Sequence, residues 1–163
     1  MKILGDLECR MEEGFDVQYA GPVLDYVKGK ILQDTWDDYN EFYHLCRFAE
    51  VTKATTGCWM HTHVLLKSGR QIGVVLVIGG SIDSLENRHP VMDASGSLLL
   101  KYFHVSEKGR GYGTLWLRSA VIPYYRERAY HTVYVSSSHE ASWPFYQRFG
   151  REIGRYEQSS YNG

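Results

Sequence analysis

The stretch Lys108-Gly-Arg-Gly-Tyr-Gly113 sets three glycines at alternate positions beside two cations. It follows the run LLLKYFHV and precedes TLWLRSAVIPYY. Glycines at this density let a backbone approach a ligand closely, and Lys108 and Arg110 suit an anion. A dinucleotide fingerprint fails here. The third glycine comes one residue early, and no acid stands about 20 residues on, where VYVSSS lies. A nucleotide P-loop fails because Gly113-Thr114 lacks the preceding lysine that would meet the phosphates. Arg110 to Leu117 partly matches the octapeptide of RNA-recognition domains, but Thr114 and Leu117 stand where aromatic rings should stack on bases. Two readings remain open. A strand, glycine turn and helix in succession aim backbone N–H groups at a bound phosphate; or the stretch is a tight turn without a ligand.

Other residue types narrow the chemistry. His61 and His63 share one face of a strand, but no third ligand stands at suitable spacing, so no metal is expected. Cys9, Cys46 and Cys58 are far apart and form no C-x-x-C pair, which predicts three reduced thiols. The 163 residues, 44% hydrophobic and 23% charged, suit one soluble globular domain. No apolar run approaches the ~20 residues of a membrane span, and the apolar start of MKILGDLECRMEE is too short for a signal peptide. A cytoplasmic protein with no membrane partner is expected. The net charge of −1 lacks the basic surplus that nucleic-acid binding needs. It conceals a split, since residues 1–50 carry net −6 and residues 51–163 net +5. Asp34, Asp37, Asp38 and Glu41 are expected at the start of one helix, where they favour its dipole or attract a cationic substrate.

These residues need a scaffold. The spacing of Trp36, Tyr39, Phe42, Tyr43 and Cys46 predicts a helix over 34–50, with Thr35 and Asp38 as a capping pair. HTHVLLKSGRQIGVVLVIGG predicts a hairpin turning at Lys-Ser-Gly-Arg, its second strand buried on both faces from Ile72 to Ile78. A polar loop from Ser81 to Ser97 leads to a strand over Leu98 to Val105 and the glycine loop. A helix over Thr114 to Ala129, kinked at Pro123, comes next. A strand from His131 to Ser136, a short helix around Ser142 to Phe149 and a strand from Glu152 to Gln158 complete the order. The class is α/β with a mixed sheet.

Lys108-x-x-Gly111-x-Gly113 at a helix start resembles the first signature of the GNAT acyltransferase family, Gln/Arg-x-x-Gly-x-Gly/Ala, with Lys in the first place. Downstream, Phe145-Tyr146 and Gly150 after a strand resemble its second signature. The resemblance runs from about Leu98 to Gln158, with His139 where Asn is common, Ser142 where Ala is usual and Arg151 where an aromatic is usual. It implies a single GNAT-like domain over 1–163, a mixed twisted sheet flanked by helices, with residues 1–55 as an N-terminal helical region and 56–163 as the core.

The family's activity is acetyl transfer from acetyl-coenzyme A to a primary amine, by direct attack in a ternary complex. By this resemblance Lys108, Gly109, Arg110, Gly111, Tyr112 and Gly113 would wrap the pyrophosphate, with Thr114 at the helix mouth. Phe103, His104 and Val105 would pair their backbone with the pantetheine arm, and His139 would contact the cofactor. Tyr146 would donate a proton to the leaving thiolate, whose ordinary pKa near ~8.5 makes it a tolerable leaving group. No Asp or Glu stands on Leu98–Val105 to act as base; His104 and His139 are the nearest ionisable groups, with water as the other relay. The expected partner is a small-molecule or peptide amine, cationic if the acidic segment recruits it. A coenzyme A-binding module, or a scaffold that has lost activity, is the competing reading.

Overall fold

The computed structural model describes residues 1–85, 90–137 and 139–155. Its sheet has six strands in chain order: β1 (Lys2–Leu4), β2 (Leu7–Glu13), β3 (Cys58–Lys67), β4 (Arg70–Gly80), β5 (Ser97–Val105) and β6 (Thr132–Val135). Neighbours run antiparallel except β5 and β6, which run parallel. The mixed α/β sheet read from the sequence is therefore present.

The β3–β4 hairpin turns on Ser68 and Gly69 alone, with φ of 49° and 79°. Two consecutive positive φ values give the turn whose twist matches that of the strands it joins. Strand β4 is buried on both faces, and its residues alternate between two cores. Ile72, Val75 and Val77 join Trp116, Leu117 and Tyr125 on one side, whereas Val74, Leu76 and Ile78 join Leu45, Ala49 and Ile82 on the other. The first core lies under the helical stretch Tyr112 to Arg126, and the second under helices α1 (Gly21–Leu32) and α2 (Glu41–Ala54).

Four expectations need correction. Residues 1–55 are not simply a helical region, because they open with β1 and β2. The helix expected from residue 34 begins at Glu41, because Asp34 and Asp38 take left-handed φ of 55° and 61°, which a helix cannot accommodate. Its cap is Asn40, whose side chain accepts from the Tyr43 amide at 2.9 Å, rather than Thr35. Only Glu41 of the four clustered acids lies in its first turn. The helix expected over 114–129 spans α3 (Tyr112–Trp116), a wide π turn (Leu117–Val121) and α4 (Ile122–Arg126). Pro123 has no N–H for the preceding turn and crowds its carbonyls, and the wide turn lies just before it. Finally, Glu152 to Arg155 form no strand, and the remainder of the strand expected there lies outside the described residues. The short helix near Ser142 is present as α5 (Trp143–Gln147).

Candidate active site

Strands β5 and β6 pair over Ser97–Leu100 and Thr132–Val135 and then part. Along the same stretch β5 carries a bulge against β4: Val74 faces His104 and Leu76 faces Lys101, so one extra residue fits between them. Tyr102 absorbs it with φ of 54°, a left-handed conformation costing a tyrosine roughly 1–3 kcal/mol. A bulge bends and twists its strand. Among the described residues no strand covers the β6 side of Lys101 to Val105, so the parting strands leave a gap, the cleft, with the β5 backbone edge along one side.

The bulge also sorts side chains. Phe103 faces the helical stretch, its ring 5.3 Å from Phe145 and 5.7 Å from Trp116. Tyr102 and His104 face α1 and α2; His104 lies 5.4 Å from the Tyr26 ring. Burial, then the Lys108 cation, lower the His104 pKa to about 4, so the ring is neutral at pH 7. Burial also lowers the Lys101 pKa.

At the mouth of the cleft, Gly109 and Gly111 both have φ of 74°, and a Cβ added to either would meet open space. Gly111 is the N-cap of the helical stretch, so the amides of Tyr112, Gly113 and Thr114 end the helix without helical acceptors. The loop's cations are only partly engaged. Glu107 takes Lys67 at 2.9 Å and reaches Arg110 at 3.8 Å, while Lys108 lies 5.5 Å over the Tyr26 ring. Gly113 serves packing, since a Cβ there would come within 3.1 Å of Phe103. The arrangement can hold a phosphate at the helix end.

Tyr146 lies on α5, packed edge-on to Phe145 at 5.2 Å. Burial raises its pKa to about 12, so the hydroxyl keeps its proton at neutral pH. Across the cleft, the Lys30 ammonium reaches Asp37 Oδ1 and the Tyr39 carbonyl at 2.7 Å each, and Glu41 Oε1 at 2.8 Å. Burial opposes the charge of Lys30, but the two carboxylates outweigh it and raise its pKa. Burial likewise works against ionised Glu41, yet its bonds to His139 and Lys30 hold its pKa down. His139 Nε2 lies 3.4 Å from Glu41 Oε1. Asp37, Glu41 and His139 bring ligand atoms within 4.8 Å of one another, but the Lys30 ammonium already holds the place a cation would take between the carboxylates.

No protein-family model and no curated protein matches the chain. Solved structures do. The chain is similar to a predicted acetyltransferase from Clostridium acetobutylicum with acetyl-CoA (TM-score 0.56, 12% identity, 94% of each chain covered). It is also similar to a GCN5-related N-acetyltransferase from Ralstonia eutropha (0.56, 17%, 94% of this chain and 97% of that one). A third is an aminoglycoside acetyltransferase from an uncultured soil metagenomic sample in complex with sisomicin (0.55, 11%, 94% and 96%). The chain has the GNAT fold.

Within this GNAT fold, the residues singled out by the two signatures converge. Phe103, His104 and Val105 line the cleft beyond the bulge, Lys108 to Thr114 form its mouth, and the Tyr146 ring packs against the same core as Phe103. His139 brings its Nε2 within 3.4 Å of Glu41 Oε1. His61 and His63 lie elsewhere, joined through the Tyr125 hydroxyl at 2.9 and 2.7 Å. Sequence reading missed Lys30 as a structural cation. Its signal was present: Val23, Val27 and Lys30 share the buried face of α1, an apolar stripe at helical spacing with a lysine in it. The bulge at Tyr102 had none, because nothing in LLLKYFHV marks which residue takes positive φ.

Proposed function

We propose that the chain is an acetyl-CoA-dependent N-acetyltransferase, transferring an acetyl group to a primary amine by direct attack in a ternary complex. The observation that carries this reading is the join of two features at one place. The edge of β5 that no described strand covers leads into a loop whose left-handed Gly109 and Gly111 have open space beside them and whose Gly111 caps a helix N-terminus. The edge suits an amide-rich pantetheine arm, and the helix end with Lys108 and Arg110 suits its pyrophosphate. On this reading the backbone of Phe103, His104 and Val105 pairs with the arm, while Lys108, Gly109, Arg110, Gly111, Tyr112, Gly113 and Thr114 hold the phosphates. Their backbone amides do most of that work.

Catalysis then asks for a neutral amine, an acyl carbon held in reach, and a proton for the sulfur. Tyr146 supplies the last. Tyr146 is partly buried, and its hydroxyl stays protonated at neutral pH and makes no hydrogen bond among the described residues. On this reading the acceptor enters from the side of α1 and α2, and the similar aminoglycoside acetyltransferase, solved in complex with sisomicin, supports a small-molecule amine as its class. Asp37 and Glu41 are taken by Lys30, so any pull on a cationic acceptor comes from the remaining acids, Asp34 and Asp38.

Calorimetric titration with acetyl-CoA, followed by thiol release with polyamines, aminoglycosides, lysine peptides and neutral amines, tests the reading. Binding and turnover support it. Binding without turnover across the panel assigns the chain to the competing class, a coenzyme A-binding scaffold, and absence of binding removes both.

A further inference from the structure

The transfer needs a group that removes the amine's proton, and β5 offers no carboxylate between Ser97 and Val105. His104, on the correct face, packs at a tilt against Tyr26, and burial and the nearby Lys108 cation make its setting hostile to imidazolium. We propose that His139, oriented by Glu41, is the base that takes this proton. This rests on the acetyltransferase reading.

The geometry is that of a carboxylate–imidazole pair. His139 Nε2 lies 3.4 Å from Glu41 Oε1, so the tautomer protonated at Nε2 turns its N–H to the carboxylate and leaves the Nδ1 lone pair to receive a proton. Nδ1 makes no hydrogen bond among the described residues, and the His139 side chain is 43% exposed, so both an acceptor and solvent can reach it. Glu41 is an anchored partner. Its side chain is 14% exposed, Lys30 holds the same oxygen at 2.8 Å, and Oε2 is buried without a partner. A carboxylate so held cannot swing away, and its charge favours the imidazolium that forms.

His139 also lies beside the cleft. Its ring is 6.0 Å from that of Tyr39, and Tyr39 hydrogen-bonds Tyr102 at the bulge. The ionisable groups facing it are Asp37 and Tyr39 from the preceding loop and Glu41 from α2, with Lys30 of α1 behind the carboxylates. His104 of β5 is coupled to the same Glu41, and Glu140 adjoins His139 in sequence.

In the step itself the amine nitrogen forms a C–N bond to the thioester carbonyl carbon and the C–S bond breaks. The nitrogen's surplus proton passes to His139 Nδ1 and then to solvent. The sulfur takes the Tyr146 proton, which solvent restores. Amine and acetyl-CoA thus yield amide and coenzyme A thiol with nothing left over.

The test compares wild type, His139→Gln, His139→Asn and Glu41→Gln, with acetyl-CoA affinity measured by calorimetry and kcat/KM followed across pH with the best amine of the panel. The expected result is acetyl-CoA affinity within about twofold of wild type in every variant. In both His139 variants kcat falls about 10²-fold and kcat/KM loses the limb that rises with pH. In Glu41→Gln kcat falls less than in the His139 variants and that limb survives, because the base remains and only its orienting carboxylate is lost. A wild-type rate and limb in folded His139→Gln or His139→Asn overturns the proposal. Loss of acetyl-CoA binding in those variants also overturns it, and makes His139 a cofactor contact. A wild type that binds acetyl-CoA but acetylates no amine removes the acetyltransferase reading itself, a failure distinct from the other two.

Discussion

His63 is 3% exposed, and its Nε2 lies 2.7 Å from the Tyr125 hydroxyl, which also reaches His61 Nδ1 at 2.9 Å. A phenol has one hydrogen to give. It therefore donates to one imidazole and accepts an N–H from the other, and the bridge is complete with both rings neutral. Burial, then the neighbouring His61, lower the His63 pKa to about 3. An unfolded histidine titrates near ~6.5. Between those values the unfolded chain binds a proton that folded His63 refuses, so stability rises with pH across the window and falls on acidification. Above ~6.5 neither state binds the proton, and the full stability is present.

The slope is about 1.4 kcal/mol per pH unit for one such group, or about 2 kcal/mol between pH 7 and pH 5. The carboxylates with lowered pKa values, Asp6, Asp37, Glu41, Asp93 and Glu152, act chiefly at more acid pH, so they leave this window nearly clear. His104 adds a similar slope of its own and His61, whose pKa burial also lowers, acts in the same direction, so His63 must be isolated by substitution. His63→Gln keeps a polar group for Tyr125 and does not titrate. Urea unfolding of both proteins at pH 7 and pH 5 should therefore show wild type losing about 2 kcal/mol more than the variant. With a urea slope of roughly 2 kcal/mol per molar, that is a difference of about 1 M in midpoint shift. A proton NMR titration reads the same group directly, and the His63 ring signal should stay unmoved down to pH 5. Parallel loss of stability in the two proteins, or a His63 signal titrating above pH 5, would refute the buried neutral bridge.

Gly111→Val should weaken acetyl-CoA binding at least 10-fold by calorimetry, because valine disfavours the φ of 74° that turns the loop into the helix. Gly113→Val should lower the melting temperature instead, since its Cβ meets Phe103 at 3.1 Å. Tyr146→Phe should reduce kcat by about 10²-fold or less with acetyl-CoA affinity intact, measured by thiol release. Lys30→Met should destabilise the chain by about 2–3 kcal/mol in urea unfolding, less than a fully buried stranded charge because Asp37 is half exposed.

Patterns that repeat along the chain were legible from sequence. The unbroken apolar run from Ile72 to Ile78 and the Lys-Ser-Gly-Arg turn marked the central hairpin, and the glycine spacing at 109, 111 and 113 marked the loop at the helix start. Single-residue departures from a pattern were not. Trp36 and Tyr39 continue the apolar spacing of α2, yet both lie outside it. Lys30 draws Asp37, the Tyr39 carbonyl and Glu41 around one ammonium, which holds residues 37–41 across the end of α1. Such a contact joins residues 7 to 11 apart through a charge, and helical spacing cannot register it. Strands β1 and β2 were missed because MKILGDLECRMEE is short and charged. Its apolar positions Leu7 and Cys9 enter the core only because β3 lies beside them.

The site depends on those departures as much as on the repeating elements. Had β5 stayed regular, Lys101 and Tyr102 would point to opposite faces, and Tyr102 could not meet Tyr39. The extra residue puts Tyr102 on the face of α1 and α2 and returns Phe103 to the opposite face, over Trp116 and Phe145. It also bends β5 where its pairing with β6 stops at Leu100 and Val135. One inserted residue thereby separates an ionisable wall, with His104, Glu41 and His139, from an aromatic wall, with Phe103, Phe145 and Tyr146. On the proposed reading the amine is deprotonated at the first wall and the thiolate is protonated from the second. The backbone edge between them is where the thioester has to lie.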